Sequence, residues 1–248
     1  MTGIHFANSH GLHIEHCVVS GFSGDNIDLL PSTNANVEIS DTISRLAGSS
    51  ALYSDSPATL TIVIDRCRFE VSGYGVVADR AIINIYDSIN DSSASYGFFA
   101  RGQGGVASMT IEGSVASNGV IAAVAVWNGS RATAHNVTVS TLTFYSTVGY
   151  MVESGGQLSI DSCVVSGLNY GVVVDNASVS VANSTIANNG WGIAVGTGGV
   201  ARLTRNTITK NSEGVHTDLG GTTYSAGDNM VDGNANETVG AITAANKA

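Results

Sequence analysis

The chain has 248 residues, enough to bury a packed interior without a disulfide or metal staple. Apolar residues make up 43% and charged residues 12%, about half the usual charged share of roughly 25%. Ten Lys and Arg against twenty Asp and Glu leave a net charge of −10, without the basic footprint of a nucleic-acid or anionic-membrane binder, and no apolar run approaches the roughly 20 residues of a membrane span.

From Met1 the sequence enters patterned residues at once, with neither a basic leader nor a cleavage site. The expectation is that a signal has been removed or that the chain is an internal piece. A short motif then recurs as Tyr74-Gly75-Val76-Val77, Tyr96-Gly97-Phe98-Phe99, Tyr170-Gly171-Val172-Val173, Trp191-Gly192-Ile193-Ala194 and Glu213-Gly214-Val215-His216. Anchored on the glycine or its equivalent (Asn26, Ala51, Ala123), the series runs 3, 26, 51, 75, 97, 123, 149, 171, 192, 214, in steps of 21 to 26 residues. Ten coils of nearly constant length result.

Each coil carries a second alternation, as in Leu12/Ile14, Val37/Ile39, Ile62/Ile64, Ile83/Ile85, Met109/Ile111, Leu158/Ile160 and Val179/Val181. Period two over four to six residues marks a strand with one buried face. Clusters such as Ala187-Asn188-Asn189-Gly190 supply turns that need unusual backbone angles. No segment sustains a 3.6-residue period, so the chain is all-β. A repeat of about 22 residues with two or three short strands reads as a parallel β-helix, a solenoid of about ten coils over residues 1–236. Residues 237–248 are left as a tail that caps the C-terminal end through Val239 and Ile242. Leucine-rich repeats share the period but need a Leu and Asn framework that is absent. Inward on the first strand of successive coils stand Ile4, Ile27, Leu52, Val76, Phe98, Val124, Tyr150, Val172, Ile193 and Val215.

The repeat Tyr170-Gly-Val-Val-Val-Asp-Asn, with its continuation Ala182-Asn-Ser-Thr-Ile-Ala-Asn-Asn-Gly190, resembles that of the right-handed parallel β-helix proteins of the pectate-lyase-like superfamily. The resemblance covers nearly the whole chain and is strongest to the repeat region of bacterial secreted β-helix proteins, whose ends resemble Gly227-Asp-Asn-Met-Val-Asp-Gly-Asn234. It implies the hand of the helix, which periodicity does not give, an N-terminal cap before the first full coil, and an extracellular or cell-surface location. It specifies fold far more than function.

Cys17, Cys67 and Cys163 share one register, each three residues after an inward Ile. Thr42, Ser88, Ser114, Ser184 and Asn206 hold the same place in other coils. The column calls for a small, weakly polar turn residue, and Cys17 and Cys67, two coils or roughly 10 Å apart, are too distant for a disulfide. Structural free thiols are expected. Asn-x-Ser/Thr matches at Asn128, Asn136, Asn176, Asn183 and Asn236 are what this composition gives by chance. The first coil concentrates His5, His10, His13 and His16. His13 and Glu15 alternate with Leu12 and Ile14, point outward, and are the candidates for a surface metal site, although no established metal-binding spacing is present. Scattered solvated histidines are the alternative, and no cofactor is expected.

On the first strand the outward column reads His5, Asp28, Tyr53, Val77, Phe99, Ala125, Met151, Val173, Ala194, His216, apolar across six consecutive coils. An outward apolar stripe calls for a cover. The expected covers are a second copy lying against Val77, Phe99, Ala125, Met151 and Val173, end-to-end association through the first coil, or the chain's own loop at 140–147. Two residues on, the column reads Ala7, Leu30, Asp55, Asp79, Arg101, Trp127, Glu153, Asp175, Gly196, Asp218. Tyr53, Phe99 and Trp127 are candidate ligand-binding residues. Asp79, Arg101, Glu153 and Asp175 are candidate catalytic groups, because a glycosidase needs two carboxyls about 5–9 Å apart and a lyase needs a base and a charge stabiliser. Superfamily enzymes resemble this in laying a polysaccharide along one sheet, but their catalytic motifs are missing here. The leading reading is a non-catalytic secreted scaffold or glycan-binding module. The alternative is a lyase or hydrolase acting on an acidic polysaccharide.

Overall fold

The computed structural model describes residues 1–141 and 147–245. Among them every strand pairing is parallel, and the strands stack into three sheets running the length of the molecule. The first sheet has 11 strands, from Ile4–Phe6 to Asn236–Val239; the second has 11, from Gly11–Glu15 to Ile242–Ala244; the third has 10, from Val18–Ser20 to Met230–Val231. This is a parallel β-solenoid of about ten turns, the architecture that the resemblance to the pectate-lyase-like superfamily implies.

Register follows the sequence columns. Ile27 pairs with Leu52, Val76 with Phe98, Phe98 with Val124, Tyr150 with Val172, and Ile193 with Val215. Each rung buries its apolar residue on the one below, about 4.8 Å away, so like stacks on like and a continuous core forms that no single coil could bury. The anchor glycine has a steric cause. A Cβ at Gly171 would lie 2.4 Å from the Gly192 carbonyl oxygen, and one at Gly192 2.4 Å from that of Gly214.

The corners are equally regular. Between the second and third sheets one residue per coil is left-handed, among them His16, Asp41, Arg66, Asp87, Gly113, Asn136, Ser162, Asn183 and Arg205. Asn, Asp and Gly tolerate that conformation best, which explains the turn clusters. Beside it lies the cysteine column. The N–H of Cys67 donates to Ser88 Oγ (3.0 Å), that of Ser88 to Ser114 Oγ (3.1 Å), and that of Cys163 to Ser184 Oγ (3.1 Å). Each small polar side chain satisfies a turn amide of the coil before it, which accounts for the column's composition. All three cysteines are free, with Cys67 and Cys163 buried and Cys17 half-buried.

Two expectations are revised. Residues 236–244 continue the stack: Val215 pairs with Thr238 and Thr223 with Ile242, so the region assigned to a tail adds rungs to the first two sheets. Its Ile242 does pack on the end of the core. The outward apolar stripe, in turn, is partly covered within the chain. Val77, Phe99 and Ala125 are 2%, 1% and 0% exposed, while Met151 and Val173 are half-buried. Among the described residues, side chains from the flanking columns cover part of it: Tyr74, Tyr96, Trp127 and Tyr170 pack with the stripe into a second apolar cluster outside the sheet. Residues 142–146, on which the loop alternative rests, lie outside the described residues.

Candidate functional site

The outward face of the first sheet carries this external cluster between two rims. One rim is the column just before the anchor glycine, where Tyr74, Tyr96, Tyr170 and Trp191 stand. Tyr74 stacks on Tyr96 (6.1 Å between ring centroids), and Tyr170 meets Trp191 edge-on at 5.3 Å. The other rim is the charged column from Asp55 to Asp218. Trp127, on that second rim, leans edge-on against Tyr96 (5.3 Å) and Phe99 (4.9 Å). The rings therefore close over the stripe from both sides. Trp127 Nε1 is buried there without a hydrogen-bond acceptor.

Two adjacent hollows open on this face. One, of about 480 Å³, is lined by Tyr74, Tyr96, Arg101, Trp127 and Asn128 over Phe99. The other, of about 190 Å³, is lined by Asp25, Tyr53, Tyr74, Val77 and Arg101. Tyr74 and Arg101 belong to both. A larger depression of about 740 Å³ on the second sheet is lined by Leu12, His13, Val37, Glu38, Thr61 and Val63, with no Phe, Tyr or Trp in its lining.

The sequence candidates divide. Asp79 and Arg101 are brought together, as a locked pair. Arg101 donates through Nε to Asp79 Oδ1 (2.8 Å) and through Nη2 to Oδ2; Tyr53 OH donates to Oδ2 (2.8 Å) and the Gln103 N–H to Oδ1 (3.0 Å). All four acceptor positions of this buried carboxylate are filled. Burial pushes the Asp79 carboxyl up, but Arg101, Tyr53 and the Gln103 amide outweigh it and hold it below its ordinary value. Tyr53 is likewise fixed beneath the Arg101 guanidinium, 5.7 Å from its ring centroid. Arg80 forks onto Asp55 in the same way, at 2.5 and 2.9 Å.

Glu153 and Asp175 occupy paired positions on adjacent rungs. Burial, then the neighbouring Asp175, push the Glu153 carboxyl above its ordinary value. Among the described residues neither has an ion-pair partner. Phe99 changes role: buried beneath Tyr96 and Trp127, it is the floor of the hollow rather than a contact surface. Tyr74 and Tyr96 line the hollow above it. Their signal was present in the Tyr-Gly copies that define the coil.

A further group was not picked out from the sequence. His216 Nδ1 lies 2.5 Å from Glu213 Oε2 and Nε2 lies 2.9 Å from Asp218 Oδ1, with its ring stacked 4.3 Å from Trp191. Burial pushes this imidazole down, but the two carboxylates outweigh it and raise it. The outward column contained His216, and only its rotamer reveals the double clamp. At the other end of the face, His5 Nδ1 meets Asp28 Oδ2 at 2.9 Å, and burial pushes that Asp28 carboxyl up.

Fold and face together define a parallel β-solenoid with one aromatic and acidic outer sheet. No protein-family model matches the chain, and no curated protein matches it. Among solved structures it is similar to the mannuronan C-5 epimerase AlgE6 A-module of Azotobacter vinelandii, at 14% identity and a TM-score of 0.26, over 97% of this chain and 92% of that one.

Proposed function

We propose that the protein is a non-catalytic, extracellular or cell-surface module that binds a glycan chain along the outward face of its first sheet. The observation that carries this reading is the pair of adjoining hollows, one lined by Tyr74, Tyr96 and Trp127 and the other by Tyr53, Tyr74 and Asp25, with Arg101 shared between them. Aromatic rings offer apolar faces to the C–H faces of sugar rings, and polar groups at the rim fix hydroxyls. The locked Asp79–Arg101 pair supports binding over turnover, because a catalytic base must present a free lone pair to its substrate. Charge supports a neutral glycan over an acidic one: Arg80 and Arg101 are neutralised by Asp55 and Asp79, while Glu153 and Asp175 stay uncompensated.

One observation favours a second reading. Glu153, its carboxyl raised by burial and by Asp175, stands one rung from that second carboxylate, the two-carboxyl arrangement a glycoside hydrolase needs. Affinity electrophoresis over neutral and uronate polysaccharides, with a reducing-end assay on the same samples, separates the two. Retention by a neutral polymer, weakened at least tenfold by Trp127→Ala and unaccompanied by product, is expected. Retention by no polymer refutes glycan binding. Product formation abolished by Glu153→Gln replaces the module with a hydrolase.

A further inference from the structure

The outward face of the second sheet carries a different arrangement. A trough of about 300 Å³ runs across the strands Arg131–His135, Gln157–Asp161, Ser178–Ala182 and Val200–Thr204. Alternation along each strand turns two columns outward. Arg131 pairs with Gln157 in one, while Thr133, Ser159, Ser180 and Arg202 follow one another in the next. No carboxylate lines this trough, in a chain with twenty Asp and Glu against ten Lys and Arg. Elsewhere arginines meet acids: Arg66 pairs with Asp41 and Asp65, Arg68 with Glu70, Arg80 with Asp55 and Arg101 with Asp79. Among the described residues Arg131 and Arg202 have no ion-pair partner, and the side chains of Gln157, Thr133, Ser159 and Ser180 have no hydrogen-bond partner in the protein. Arg202 is instead held over the Tyr224 ring, 5.5 Å from its centroid. Asp161, two residues past Ser159, is engaged at the margin by Asn183 Nδ2 (2.6 Å), Ser162 Oγ (3.1 Å) and His135 Nδ1 (2.9 Å). The first coils of the same sheet differ, because His13 there lies 3.4 Å from each of Glu15 and Glu38.

We propose that this trough binds an acidic heteropolysaccharide, one whose acid groups are separated by neutral sugars. A guanidinium without an internal partner presents a planar fork of N–H donors that matches the two oxygens of a carboxylate. Arg131 and Arg202 stand three rungs apart, about 14 Å along the solenoid. That separation suits two acid groups on one extended chain. Between them the amide of Gln157 and the hydroxyls of Thr133, Ser159 and Ser180 are free to bond sugar hydroxyls. A polymer charged at every unit would meet only these two cations, against the repulsion of a protein whose net charge is −10. Sparse charge along the ligand is therefore favoured. The site shares no residue with the first-sheet hollows and does not rest on their reading.

Calorimetric titration of the full chain at low salt with a hyaluronan octasaccharide, in which uronates alternate with neutral sugars, tests the assignment. A dissociation constant at or below about 100 µM is expected. Arg131→Gln and Arg202→Gln should each weaken it by roughly threefold or more, and the double variant by about tenfold or more. Arg202→Lys keeps the charge but loses the fork, so its affinity should fall between those of the wild type and Arg202→Gln. Raising the salt to about 0.5 M should also weaken binding by roughly threefold or more. Trp127→Ala, on the first sheet, should leave it unchanged, so that failure of one site is distinguishable from failure of the other. Far-UV circular dichroism checks that each variant keeps its fold. Tighter binding of a polygalacturonate octasaccharide, charged at every unit, would overturn the spacing argument, and equal binding of a neutral dextran oligosaccharide would overturn charge recognition. Affinity unmoved by both arginine variants, loss confined to Trp127→Ala, or no binding at about 1 mM would each overturn the site.

Discussion

Replacing Phe99 with alanine tests whether the outward stripe is an internal feature of one molecule. In a simple solenoid an outward residue faces water, and its truncation changes stability by no more than about 0.5 kcal/mol. Here the ring is 1% exposed, 4.4 Å from the Tyr96 ring and 4.9 Å from the Trp127 ring, centroid to centroid. Removing a buried Phe destabilises by about 3–5 kcal/mol, to which each aromatic pair adds roughly 0.5–1.5 kcal/mol. The cluster is only one side chain deep, however, so Tyr96 and Trp127 can settle into the gap. A loss of about 3 kcal/mol is therefore expected. Guanidinium unfolding followed by the fluorescence of Trp127 and Trp191 gives the global figure. Because solenoids open coil by coil, hydrogen exchange should show the loss concentrated in the strands Tyr74–Ala78, Tyr96–Ala100 and Ala122–Val126. A loss below 1 kcal/mol would refute the packed external cluster. If sedimentation also showed an oligomer that Phe99→Ala dissociates, the stripe would be an interface between copies after all.

Three further outcomes are expected. Val71 is a β-branched residue at a left-handed corner (φ 46°) with 54% of its surface exposed, and that conformation costs an L-residue about 1–2 kcal/mol, so Val71→Asn should raise stability by about 1 kcal/mol in the same unfolding assay; a loss would show that the corner is not strained. In native protein Cys17 should react first with Ellman-type reagent, because burial pushes the Cys67 and Cys163 thiols up, and the denatured, unreduced chain should give three thiols; fewer would reveal a disulfide. Since the folded Asp79 carboxyl lies below its ordinary 3.8, its pairing contributes stability that is fully present above that pH and is lost as pH falls through the lower folded value. Asp79→Asn should therefore flatten the acid limb of the stability curve, while lowering stability at pH 7 because Arg101 loses its partner; an unchanged acid limb would show that the pair does not titrate with folding.

Much of the fold was legible in the chain because a solenoid converts sequence distance into spatial position. Once the parallel ladder forms, residues one coil apart stand one rung apart, and the steric need for glycine at the anchor marks each rung. The inward column from Ile4 to Val215, the turn column of Cys17, Cys67 and Cys163, and the outward direction of His13 and Glu15 all follow from that rule. Adjacency of Asp79 with Arg101, and of Glu153 with Asp175, follows too. What the tertiary structure decided is where the tips of those side chains lie. Tyr96 and Trp127 reach across columns to bury Phe99, so the middle of an outward-pointing apolar stripe is nevertheless dry, while Met151 and Val173 stay half-buried. Arg101 spans a rung to fill the acceptors of Asp79, turning two candidate catalytic groups into a structural pair. His216 finds a carboxylate for each ring nitrogen only through its rotamer. Even the tail becomes further rungs, because the unpaired edge of the last full coil offers hydrogen bonds that residues 236–244 complete. Backbone register is set by a repeating ladder and can be counted along the chain. Side-chain reach of several ångströms is comparable to the spacing between rungs and columns, so which groups meet depends on packing in three dimensions.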